Sequence, residues 1–160
     1  ARLPVSDRNP LVLLNTHLDA FAQGTDIMEK QVNEVKGLLQ SLDEEGSEWI
    51  IGGDFNLLPP EWDRSQLHEN DQVYYQDTSE IQTLFADFRS SVDQETLNGP
   101  DQAQYYTHFP NSHIVEKPDR TIDYIFYSAG LDQKNYYVRQ QGALHISDHL
   151  PMVGVYSITE

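Results

Sequence analysis

The chain of 160 residues carries 26 acidic and 10 basic side chains, and its formal charge of −16 repels phosphate polyanions, which argues against a tight nucleic-acid binder with a basic footprint. It has no cysteine, which excludes disulfides, thiolate metal sites and a cysteine nucleophile. At this length a single core is expected, burying roughly 68–70% of the extended-chain surface, and no apolar run approaches the ~18 residues of a membrane span.

Leu11-Val12-Leu13-Leu14, behind Pro10, reads as a strand covered on both faces, with Asn15-Thr16-His17 at its polar end. From Asp26 to Leu42 the apolar residues Met28, Val32, Val35, Leu39 and Leu42 recur at helical steps, and Asp26 with Glu29 has the spacing of a capping box. Gly46 ends that helix. Trp49-Ile50-Ile51 resumes as a short buried strand that runs into Gly52-Gly53-Asp54-Phe55-Asn56, and Pro59-Pro60 stops regular structure.

Residues 61–78 read as a long loop holding one short helical turn. A second helix is expected from Ser79 to Arg89, where Ser79 and Gln82 fit a capping box and Ile81, Leu84, Phe85 and Phe88 share a face. Residues 90–104 are weakly patterned, 105–109 read as a strand and 110–118 as a loop. Thr121–Tyr127 is a strand rich in β-branched and aromatic residues. Residues 136–141 suggest another, and Met152–Ile158 a terminal one that follows Ser147-Asp148-His149. No repeat or linker divides the chain, so one domain is expected.

Three polar groups thus stand at the ends of apolar strands, where a sheet brings them together although they are distant in sequence. Asp54 and Asn56, two apart, share a face in extended backbone; an aspartate accepts a proton from water and an asparagine amide donates to a phosphate oxygen. The competing reading is an Asx turn that closes the strand. Asp123 interrupts an apolar strand and needs a partner there, either Arg120 in an ion pair or a histidine whose ring it would orient. Asp148-His149 offers that histidine, or is a surface turn, and His17 is a second imidazole or a plain boundary residue. With hard carboxylates for the ion and imidazole and amide donors for phosphate, the set suits hydrated Mg²⁺ better than zinc. Trp62, Tyr74, Tyr75, Tyr105, Tyr106 and Phe109 either stack on a substrate or pack in the interior.

In order along the chain, Asn15-Thr16-His17-Leu18, Gly53-Asp54-Phe55-Asn56, Arg120-Thr121-Ile122-Asp123-Tyr124-Ile125 and Ser147-Asp148-His149-Leu150-Pro151 resemble the later motifs of the endonuclease/exonuclease/phosphatase superfamily, which contains deoxyribonuclease I-like nucleases, neutral sphingomyelinases and inositol-polyphosphate 5-phosphatases. The resemblance implies an α/β fold: the C-terminal portion of a two-sheet sandwich with flanking helices. It implies hydrolysis of a phosphodiester or phosphomonoester with Mg²⁺, or Mn²⁺, by an activated water. The implied roles are phosphate hydrogen bonding for His17, orientation or deprotonation of water for Asp54, phosphate binding for Asn56, and a carboxylate–imidazole pair for Asp123 and His149. Asp148 is implied to hold the metal directly or through water.

The superfamily also has an earlier asparagine and a glutamate that is its principal Mg²⁺ ligand, and neither has a counterpart before Leu11. The chain is therefore expected to be part of one domain whose N-terminal half is absent, inactive alone and completed by a separate N-terminal fragment. A binding or scaffold domain of the same fold that has lost catalysis is the alternative. The substrate class stays open among nucleic acid, lipid headgroup and small phosphoester, and the location between cytoplasmic and secreted.

Overall fold

The computed structural model describes residues 1–6, 8–21, 24–110, 117–143 and 145–159. A short strand β1 (Arg2–Leu3) leads to β2 (Leu11–His17), helix α1 (Ile27–Glu44) and strand β3 (Trp49–Asp54). Then come short helices α2 (Glu69–Gln72) and α3 (Gln82–Asp87), strand β4 (Arg89–Ser90) and helix α4 (Gln94–Asn98). Strands β5 (Asp123–Tyr127), β6 (Leu131–Val138) and β7 (Met152–Ile158) complete the chain. Five strands form one sheet in the order β1-β2-β3-β5-β4, and β6 pairs with β7 in a second sheet. This is the expected two-sheet α/β sandwich with helices alongside.

The β2–α1–β3 unit explains itself from the sequence. β2 and β3 are apolar, pair in parallel and need a crossover, which α1 supplies. The helix lays Met28, Val32, Leu39 and Leu42 against Val12, Trp49, Ile51, Phe55 and Phe126 in one core, where each buried Leu or Ile contributes on the order of 2 kcal/mol. Trp62, Leu58, Leu67 and Ile122 form a smaller core with Tyr75 and Tyr106, so these aromatic residues pack inside. Tyr74 is exposed and lies edge-on to exposed Phe21.

Several details depart from expectation. Neither capping box forms: Asp26 makes an ion pair with Lys30 (2.7 Å) and caps nothing with its side chain. The Ser79 hydroxyl donates instead to the Leu58 carbonyl (2.7 Å), and the second helix shrinks to Gln82–Asp87. Residues 105–109 are not a strand. His108 alone makes two isolated antiparallel bridges, to Arg120 and to His149, so the segment is a crosspiece. β6 starts at Leu131, five residues before the expected start, and carries a bulge between Gln133 and Asn135 within a polar, half-exposed edge. In the loop expected at 110–118, residues 111–116 lie outside the described residues. Among the described residues, no helix is long and apolar enough to cross a membrane.

Candidate functional site

The site begins as a row across three neighbouring strands. In the parallel pair β2–β3, His17 stands opposite Asp54, and in the antiparallel pair β3–β5, Asp54 stands opposite Asp123. Each is the residue at which its strand starts or stops. Gly53 makes the register possible: its φ is +154°, and a Cβ there would lie 1.9 Å from the Thr16 carbonyl oxygen.

Asp54 uses its two oxygens differently. Oδ1 accepts from the Asn56 backbone N–H (2.8 Å), so the Asx turn is present. Oδ2 is left facing two imidazoles, with His17 Nε2 at 3.4 Å and His149 Nε2 at 3.7 Å. Asn56 sits in the left-handed region (φ 53°), which asparagine tolerates, and its side-chain amide donates to the Leu18 carbonyl (3.0 Å). It thus ties the Asp54 turn to the chain leaving His17. The phosphate-binding role implied by resemblance would have to use what remains of that amide.

His149 reaches the row from the other side. Thr107 is fully buried; its Oγ1 accepts from the backbone N–H groups of Ile122 and Asp123 (3.2 Å each), and its carbonyl accepts from Leu150 N (2.7 Å). Phe109 N donates to the Asp148 carbonyl (3.1 Å). The crosspiece thereby binds the start of β5 to the segment around His149. His149 Nδ1 meets both oxygens of Asp123, at 3.1 and 3.0 Å. With Nδ1 so engaged, Nε2 faces the Asp54 side. Asp123 therefore pairs with His149 and not with Arg120, which is buried against Asp119 and Asp71 and lies over the Tyr75 ring.

Electrostatics follow from this packing. Burial, with the neighbouring Asp123 charge adding to it, raises the Asp54 pKa above 3.8, against the lowering effect of the Asn56 N–H. The hydrogen bond that its Nδ1–H donates to Asp123 raises the His149 pKa above 6.5 in spite of partial burial. Asp148 is set apart from the row. Its Oδ2 is 4.0 Å from Nε2 of His108, whose ring lies edge-on to His149 with centroids 4.6 Å apart. Burial first, then His149 and Arg120, push the His108 pKa down to about 4.

His108 and Thr107 escaped the sequence reading because nothing in Tyr105-Tyr106-Thr107-His108-Phe109 marks one bridging residue. The signal present was a histidine placed in an otherwise apolar and aromatic run. Asp54, Asp123 and His149 offer ligand atoms that all lie within 4.8 Å of one another. Two carboxylates with one imidazole between them leave negative charge uncompensated, which suits a hard divalent cation.

The profile of the endonuclease/exonuclease/phosphatase family matches residues 10–149. Among curated proteins, none matches the chain. Among solved structures, the chain is similar to the human Nocturnin catalytic domain with bound sulfate anion: 23% identity and TM-score 0.60, over 96% of this chain and 49% of that one. An AP endonuclease from Archaeoglobus fulgidus is similar at 19% identity and TM-score 0.60, over 92% of this chain and 62% of that one. An endonuclease/exonuclease/phosphatase from Beutenbergia cavernae is similar at 18% identity and TM-score 0.58, over 97% and 37%. These likenesses concern the fold, and the chain spans between 37% and 62% of the length of the three structures.

Proposed function

The chain belongs to the endonuclease/exonuclease/phosphatase family, and on that premise we propose that it carries the later part of a Mg²⁺-dependent phosphoesterase site, which hydrolyses a phosphodiester or phosphomonoester by in-line attack of water. The observation that carries this reading is the row His17–Asp54–Asp123 with His149 closing over it.

In this reading Asp54 Oδ2 holds the attacking water and accepts its proton as the water oxygen bonds to phosphorus. The ester P–O bond breaks, and the leaving oxygen takes a proton from solvent water. His149, held by Asp123, donates from Nε2 to a phosphate oxygen, where charge grows in the transition state. His17, with its side chain mostly exposed beside Asp54, donates to another. Asn56 holds Asp54 through its backbone N–H and directs a remaining amide hydrogen at phosphate. Asp148 would hold Mg²⁺, directly or through water, and the ion would polarise the phosphoryl oxygen and acidify bound water. The acidic chain favours a small phosphoester, a lipid headgroup or loosely held nucleic acid over a tightly gripped duplex.

The test is turnover of the full-length protein on bis-p-nitrophenyl phosphate, nucleic acids and sphingomyelin, with Mg²⁺ and with chelator. Metal-dependent turnover is expected, and Asp54→Ala or His149→Ala should lower it at least about a hundredfold while the far-ultraviolet circular dichroism is unchanged. Absence of turnover on every substrate with Mg²⁺ present would favour the non-catalytic binding domain.

A further inference from the structure

His108 is an imidazole that the proposed reaction does not use. Its Nδ1 is buried with no hydrogen-bond partner, and its Nε2 stops 4.0 Å from Asp148 Oδ2, beyond hydrogen-bond range. Burial leaves Nδ1 without a partner, and Nε2 stands before a carboxylate that it does not reach, a gap that calls for a water or an ion. Its neighbours say which. His108, Asp148 and His149 offer ligand atoms that all lie within 4.8 Å of one another.

We propose that His108, Asp148 and His149 form a site for a borderline first-row cation, Zn²⁺ above all, next to the row formed by His17, Asp54 and Asp123. Two imidazoles and one carboxylate are the donor set of open zinc sites, whereas Mg²⁺ prefers oxygen ligands throughout. Two ligands each about 2.1 Å from a tetrahedral ion stand about 3.4 Å apart. The His108–Asp148 separation of 4.0 Å is slightly wider than that, and Asp148, half exposed, can close the difference. The His149 Nδ1–Asp123 contact supplies the carboxylate behind a ligating histidine, which fixes the ring so that Nε2 meets the ion.

Because the site takes the Nε2 lone pair of His149 and the Asp148 carboxylate proposed for Mg²⁺, its occupation removes a donor and an ion ligand that the phosphate reaction needs, so Zn²⁺ inhibits in competition with Mg²⁺. That consequence rests on the proposed reaction; binding does not.

Calorimetric titration of the chain with ZnCl₂ in millimolar Mg²⁺ is expected to show one Zn²⁺ per chain. His108→Phe, which keeps the packed ring and removes the ligand, should weaken binding at least about tenfold. Wild-type protein loaded with Co²⁺ reports the site without any variant, through a visible absorption band that excess Zn²⁺ abolishes. Equal affinity in wild type and folded His108→Phe would overturn the site. If the variant fails to fold, absence of a Zn²⁺-displaceable Co²⁺ band in the wild type would do so. In an active full-length protein, Zn²⁺ should inhibit wild type and spare His108→Phe. Zn²⁺ binding without any phosphoesterase turnover would sink the proposed reaction and leave the metal site standing.

Discussion

Asp54 and His149 lie 3.7 Å apart, and both are pushed upward in pKa, by burial in one case and by the Asp123 hydrogen bond in the other. If ionised Asp54 accepts a proton and protonated His149 donates a hydrogen bond to phosphate, kcat/KM of the full-length protein should be bell-shaped. Its acid limb should lie above the ordinary aspartate value of 3.8 and its alkaline limb above the ordinary histidine value of 6.5. Asp123→Asn removes the charge that holds the imidazolium and should move the alkaline limb down; an unmoved limb would separate His149 from the reaction. His108 predicts the opposite kind of dependence, in stability. Its pKa is lowered from 6.5 to about 4, so between these values the unfolded chain binds a proton that the folded chain refuses. Stability is therefore fully present above 6.5 and falls as pH drops through that window, by up to about 3 kcal/mol. Urea unfolding of metal-free protein across this range should show the loss, and His108→Phe should abolish that share of it. At this scale the sequence was informative where a polar residue stood at the end of an apolar strand or broke into one, as at His17, Asp54 and Asp123. It was silent on His108, whose place is set by two single-residue bridges to segments distant in sequence.

Between elements, the close approach of β2 and β3 is what sets His17 beside Asp54. Gly53→Ala would put a Cβ 1.9 Å from the Thr16 carbonyl oxygen, at a φ that L residues rarely adopt, so the strands must part or the backbone must turn. The expected cost is at least about 3 kcal/mol in urea unfolding, with activity reduced further than the folded fraction accounts for. Near-wild-type stability would mean that the strands are not so tightly joined. Elements were legible in proportion to how local their cause is. α1 follows from one apolar stripe, and β7 from its own composition, with the ends expected for it. The C-terminal ends of β2 and β3 ran past the apolar runs because their pairing continues through Asn15, Thr16 and His17. β1 and β4, two residues each, exist only because a neighbour pairs with them. In place of the capping boxes, Asp26 meets Lys30 and Ser79 donates to the Leu58 carbonyl, partners that the spacing alone does not mark.

Across the whole molecule, the ordered motifs made the two-sheet class readable, while the order β1-β2-β3-β5-β4 depends on packing among distant segments and left no local trace. Charge is the remaining property of this scale. With 26 acidic and 10 basic residues, most carboxylates have no cation to meet. Those that do are often exposed pairs such as Asp26–Lys30 or Arg2–Glu45, which contribute about 0–1 kcal/mol each. The net −16 therefore acts as a diffuse repulsion that the folded chain concentrates and the unfolded chain relaxes. Salt weakens it over the relevant distances, since the screening length shrinks from about 10 Å at 0.1 M to about 3 Å at 1 M. Raising NaCl over that range should increase the melting temperature by several degrees, as a gain of roughly 1–2 kcal/mol would give for a domain of this size. The same salt should matter little near the isoelectric point of about 4.5, where the net charge vanishes. A salt response as large there as at neutral pH would trace the stabilisation to apolar burial, which salts also strengthen, and remove charge repulsion as its cause.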